Sequence, residues 1–82
     1  MKPGDIVALR TGRVVVQLLS DSMEHKTDTR STIISDLSDI MAFRRGEVAT
    51  VIEINKENTA RVKILHRSGT WWGNVSDLLV VG

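Results

Sequence analysis

Eighty-two residues, 41% of them apolar and 26% charged, allow one compact domain built around one small core. Eleven basic and ten acidic side chains leave a net charge of +1, so there is no bulk charge to drive binding to a polyanion. The absence of cysteine excludes a disulfide framework, a thiolate zinc site, an iron–sulfur site and a cysteine nucleophile.

Pro3-Gly4 punctuates the start, and Asp5 to Arg10 reads as a first strand. Thr11-Gly12 turns the chain into Arg13 to Leu19, where Val14, Val16 and Leu18 share one face and Arg13, Val15, Gln17 and Leu19 the other. Ser20 to Thr32 has no periodicity and almost nothing to bury, and reads as a long polar loop. In Ile33 to Phe43 the spacing of Ile33, Leu37, Ile40 and Met41 predicts a helix of about two turns. Ser35 or Asp36 would cap it, and Arg44-Arg45-Gly46 would close it with cations and a C′ glycine.

Glu47 to Asn55 alternates strictly, with Val48, Thr50, Ile52 and Ile54 against Glu47, Ala49, Val51, Glu53 and Asn55. Lys56-Glu57-Asn58-Thr59 is a polar hairpin connection, and Ala60 to Arg67 returns with Val62, Ile64 and His66 on one face and Arg61, Lys63, Leu65 and Arg67 on the other. Ser68-Gly69 turns into Thr70 to Val75, and Ser76-Asp77 leads to a last apolar segment, Leu78 to Val81. Gly12-Arg13-Val14 and Gly46-Glu47-Val48 echo each other, as ordinary turn chemistry does when a glycine precedes a strand. Four or five short strands with one polar insertion describe a small all-β barrel.

Several segments fall in the order of a known superfamily. They are Lys2-Pro3-Gly4-Asp5-Ile6-Val7, Phe43 to Ile54 with its Gly46-Glu47-Val48, Ala60-Arg61-Val62-Lys63-Ile64, Trp71-Trp72-Gly73-Asn74-Val75 and Asp77-Leu78. Over residues 2–19 and 43–81 the chain resembles an SH3-like barrel of the KOW and Tudor type. It is also loosely similar to small SH3-like accessory subunits such as the variable chain of ferredoxin-thioredoxin reductase. The resemblance implies a single SH3-like β-barrel of about five strands over residues 1–82, with the loop and short helix of 20–43 inserted. It further implies a module that binds and does no chemistry. The Pro and Tyr that follow the paired Trp of a true SH3 domain have no counterpart after Trp72, and the chain has no tyrosine, so polyproline recognition is not implied.

The residues themselves point the same way. No Gly-x-Ser-x-Gly elbow or Gly-x-x-x-x-Gly-Lys loop occurs, and the two histidines lack a partner spacing that would make a base and its orienter. No catalytic residue, cofactor or metal is expected. Asp21, Glu24, His25 and Asp28 are close in sequence but lack calcium-loop spacing. Trp71 and Trp72 are adjacent on a strand, so pleating sends one ring inward and leaves the other as an exposed anchor. Phe43 to Val75 carries six cations against three carboxylates, a local excess of three. Arg61, Lys63 and Arg67 share one strand face, with Arg44 and Arg45 just before the preceding strand.

The sequence therefore predicts a binding surface made of Trp71, Trp72, Arg61, Lys63, Arg67, Arg44 and Arg45. Its expected occupant is a larger protein whose activity the module modulates or supports. The alternative is KOW-like nucleic-acid binding, with the same cations on phosphates and a Trp stacked on a base. A structural subunit whose Leu79 and Val81 edge pairs with another chain, and a homodimer through the same edge, are further arrangements. Apolar runs such as Ile40 to Phe43 and Leu78 to Val81 fall far short of the roughly 20 residues a membrane span needs. Met-Lys-Pro-Gly also lacks a signal-peptide core, so a cytoplasmic location without a membrane partner is expected.

Overall fold

The computed structural model describes residues 1–24 and 39–82. They form a seven-stranded antiparallel sheet curled into a half-barrel, where about five strands were expected. The strands are β1 (Ile6–Leu9), β2 (Val15–Leu19), β3 (Ile40–Arg44), β4 (Ala49–Ile54), β5 (Arg61–His66), β6 (Gly69–Asn74) and β7 (Leu78–Val80). A four-residue helix, α1 (Asp21–Glu24), follows β2, and a 3₁₀ turn over Val75–Asp77 precedes β7. The spatial order is β3-β2-β6-β5-β4-β1-β7, so β3 and β7 form the edges. Among the described residues no helix is long and apolar enough to cross a membrane.

Two expectations for the insertion change. Ile40 to Phe43 is a strand rather than the end of a helix, paired with β2 from Val15↔Arg44 to Leu19↔Ile40. A continuous apolar run satisfies either period, and here a full ladder of backbone bonds to β2 outweighs local helical spacing. Asp21–Glu24, expected in a loop, is helical and buries Met23. The remainder of the expected loop and helix, residues 25–38, lies outside the described residues.

Gly46 adopts the left-handed φ of +93° that a C′ glycine would have, but it does so in a β-turn, where the Glu47 N–H donates to the Arg44 carbonyl at 3.1 Å. Gly12, at φ +97°, has the same place in Arg10-Thr11-Gly12-Arg13, closed by the Arg13 N–H on the Arg10 carbonyl at 3.0 Å. The echo between the two segments is thus a shared turn, with glycine supplying a φ that other residues rarely adopt.

Alternation assigns the faces of β2 and β5 as the residue pattern suggests. Val7, Leu9, Leu18, Phe43, Val62, Ile64 and Leu78 point inward and are buried in one core. Each such side chain contributes about 2 kcal/mol by leaving water. In β4 the alternation breaks. The register shifts between Val51 and Glu53, so Ile52 and Glu53 together oppose Lys63 on the outer side. The inward residues of β4 are consequently Ala49, Val51 and Ile54, while Ile52 is exposed.

Candidate functional site

The seven residues expected to form one surface fall into two groups. The first, Arg61, Lys63 and Trp72, is on the outer face of β5 and β6, where Lys63 opposes Trp72 and Arg61 opposes Asn74. This face is covered by α1. The Trp72 ring is only 1% exposed, and its indole N–H donates to Asp21 Oδ1 at 2.5 Å. Lys63 Nζ pairs with Asp21 Oδ2 at 2.9 Å and stands 6.0 Å from the Trp72 ring centroid. Arg61 makes a two-pronged contact with the Glu24 carboxylate, its Nε donating to Oε2 at 3.1 Å and its NH2 group pairing with Oε1. Its NH1 donates to Asn74 Oδ1 at 2.9 Å, and Asn55 donates to Glu24 at 3.4 Å.

Two of the five cations expected to meet a partner, Arg61 and Lys63, are therefore matched by carboxylates of the same chain. Asp21 and Glu24, weighed from the sequence as metal ligands, act here as counterions to Lys63 and Arg61. Beside this group a shallow hollow of about 230 Å³ is lined by Glu53, Asn55, Lys56, Glu57 and Trp72.

The second group, Arg44, Arg45, Arg67 and Trp71, gathers at the opposite end of the half-barrel, where the β3–β4 and β5–β6 turns meet. Trp71 follows the inward phase, opposite Ile64, and is half-buried against the core. Neither tryptophan is thus the exposed ring that pleating alone suggested, because α1 covers the outward one. The Trp71 N–H donates to Ser68 Oγ at 3.0 Å. Ser68 Oγ lies 2.8 Å from His66 Nδ1, and His66 Nε2 lies 2.7 Å from Glu47 Oε2.

Glu47 also accepts the Arg44 backbone N–H at 3.0 Å. That bond first, and then the one to His66, hold its carboxyl below the ordinary glutamate value. His66 stacks edge-on against Phe43 at 5.8 Å and has both ring nitrogens in hydrogen-bonding contact, on the inward side that alternation in its strand predicts. No cluster of metal-ligating side chains occurs among the described residues. A hollow of about 350 Å³ at this end is lined by Gly46, Glu47, Val48, His66 and Arg67.

A third feature was read in the sequence only at its Leu79 and Val81 edge. Away from Lys63 and α1, the outer side of β7, β1, β4 and the Leu65 end of β5 carries exposed apolar side chains that no other described residue covers. Val81 donates its N–H to the Ile6 carbonyl at 2.8 Å, Ile6 opposes Thr50, and Thr50 opposes Leu65, which makes one row across four strands. Leu79 opposes Ala8, and one further step of the β1–β4 register brings Val48 beside Ala8, which starts a second row. Ile6, Val48, Ile52, Leu65, Leu79 and Val81 are all exposed. The signal was present as Ile6, Leu65 and Leu79 at outward positions, but the bulge hid Ile52, and neighbouring strands cannot be assigned without the topology. Comparison with protein-family models, with curated proteins and with solved structures gives no match.

Proposed function

We propose that the chain is a non-enzymatic binding module of SH3-like type that docks on a larger protein and supports or modulates its activity. The observation that carries this reading is the group of exposed apolar side chains on β7, β1, β4 and the Leu65 end of β5, uncovered among the described residues. Contiguous exposed apolar side chains on a small domain mark a surface that something else covers. The electrostatics favour a protein over a nucleic acid as the covering partner. Arg61 and Lys63, the centre of the expected phosphate track, are already neutralised by Glu24 and Asp21, so binding there would release no counterions from phosphates.

The test is capture from a lysate with nuclease, at low and high salt, comparing the wild type with the Leu79→Glu/Val81→Glu variant. A stoichiometric protein that survives nuclease and salt, and is lost by the variant, is the expected outcome. Recovery of nucleic acid alone would overturn the reading. Self-association that the variant abolishes, with no other protein captured, would replace the partner with a second copy.

A further inference from the structure

The turn-bearing end of the half-barrel concentrates guanidinium groups that the strand pattern does not reveal. Backbone bonds knit its turns together. Arg10 N–H donates to the Asp77 carbonyl at 2.9 Å and Arg45 N–H to the Val14 carbonyl at 2.8 Å, while Glu47 links the β3–β4 turn to His66 at 2.7 Å. Among the described residues five arginines therefore share this end: Arg10, Arg13, Arg44, Arg45 and Arg67. They face two carboxylates, Glu47 and Asp77, whose side chains are 22% and 17% exposed and already engaged.

Arg13 pairs with Asp77 at 3.3 Å, whereas Arg67, 87% exposed, comes no closer than 3.9 Å to Glu47. Among the described residues no side-chain partner holds the guanidinium of Arg10, Arg44 or Arg45. Exposed Val14, Val15 and Val48 stand among these cations. Thr50↔Leu65 sets Val48 beside Arg67, so the row from Leu79 through Ala8 and Val48 ends on a guanidinium.

We infer that this end recognises an acidic segment of the protein partner, with carboxylates on Arg44, Arg45 and Arg67 and apolar side chains on Val48 and the adjoining face. The inference rests on the protein-docking reading above and adds the chemistry of what docks. The cations here among the described residues are all arginine, whose planar fork pairs with a carboxylate through two parallel bonds. Phosphate would accept the same fork, but a sugar–phosphate backbone has no use for the exposed valines between the cations. Arginine beside apolar side chains is the composition of protein interfaces. The nearby carboxylates are occupied by His66, the Arg44 N–H and Arg13, so an incoming acid meets positive potential.

The experiment titrates the full chain with a short labelled peptide of glutamates interspersed with leucines, its glutamine counterpart, and an oligo-deoxythymidine, following backbone amide shifts. The glutamate peptide is expected to bind and to shift amides of residues 44–48 and 66–69. The glutamine peptide should bind about tenfold or more weakly, as should the glutamate peptide to the Arg44→Gln/Arg45→Gln/Arg67→Gln variant. All three positions are exposed, and an unchanged thermal unfolding midpoint shows that the variant keeps its fold. Undiminished binding to this variant, shifts confined to other strands, or tighter binding of the oligonucleotide than of the glutamate peptide would each overturn the inference. Capture of the lysate protein by the arginine variant at wild-type level would overturn it while leaving protein docking intact. Absence of any protein captured by the wild type would remove both.

Discussion

At Gly73 a single missing carbon makes room for the side chain of Leu18. A Cβ built there would come within 2.6 Å of Leu18 Cδ2, and Leu18 is fully buried. The leucine can yield only by leaving its rotamer in a filled core. Gly73→Ala is expected to destabilise the fold by about 1–3 kcal/mol in chemical denaturation. Adding Leu18→Val to that background should recover part of the loss, and strictly additive effects of the two changes would show that they do not meet. Residues of this kind were legible only in part. The outward phase of Arg61 and Lys63 follows from alternation in β5, but their partners Glu24 and Asp21 belong to a segment with no periodicity. Charge pairing across such a separation leaves no trace in local pattern. The inward phase of His66 was readable, while its bonds to Glu47 and Ser68 required the turns to be brought together.

Among the elements, α1 is too short to be stable alone, since an isolated turn of helix costs more in chain entropy than its hydrogen bonds return. Its place is secured by Met23, by Asp21 on Trp72 and Lys63, and by Glu24 on Arg61. Replacing both carboxylates, as in Asp21→Asn with Glu24→Gln, should cost about 2 kcal/mol by leaving two part-buried cations unmatched. It should also shift tryptophan emission to the red as Trp72 meets water, and give Arg61 and Lys63 a salt-dependent affinity for oligo-deoxythymidine. An unchanged emission spectrum would mean that the carboxylates do not hold α1 in place. The strand β5 was readable because its alternation runs unbroken between turn residues, and β6 because turn residues bound it on both sides. For β3 the run Ile40-Met41-Ala42-Phe43 fits a helix and a strand equally, and the pairing with β2 decides it. In β4 one extra residue reverses the phase, which no alternation argument can foresee.

At the scale of the molecule, the half-barrel divides its charge by position. Carboxylates of α1 neutralise the cations on one flank, the face of β7, β1 and β4 is apolar, and the arginines collect where the turns meet. Glu47 holds that end together through the Arg44 N–H and His66, and its carboxyl is held below its ordinary value near 4.5. A carboxyl more acidic in the folded chain than in the unfolded one adds stability that is complete above the unfolded value and is lost as pH falls through the folded one. The thermal unfolding midpoint should therefore fall more steeply between about pH 5 and pH 3 in the wild type than in Glu47→Gln. Parallel profiles would show that Glu47 contributes nothing to acid sensitivity. A mainly β, single-domain architecture was evident from composition and alternation. The bare face was not, because it is assembled from strands whose order in space, β7-β1-β4-β5, differs from their order in the chain.

The bonds joining Trp71, Ser68, His66 and Glu47 have one further property, their direction. The Ser68 backbone N–H donates to His66 Nδ1 at 3.1 Å, which makes Nδ1 the lone-pair nitrogen and puts the ring proton on Nε2, facing Glu47. The Ser68 hydroxyl accepts the hydrogen bond of the Trp71 indole N–H and in turn donates to Nδ1, whose lone pair it shares with the Ser68 amide. Every donor in the chain points the same way, from indole to carboxylate, and a one-way sequence polarises each successive bond. One imidazole tautomer is thereby selected by a main-chain amide in a tight turn, and the negative charge of Glu47 is felt as far as the indole of a residue it does not touch.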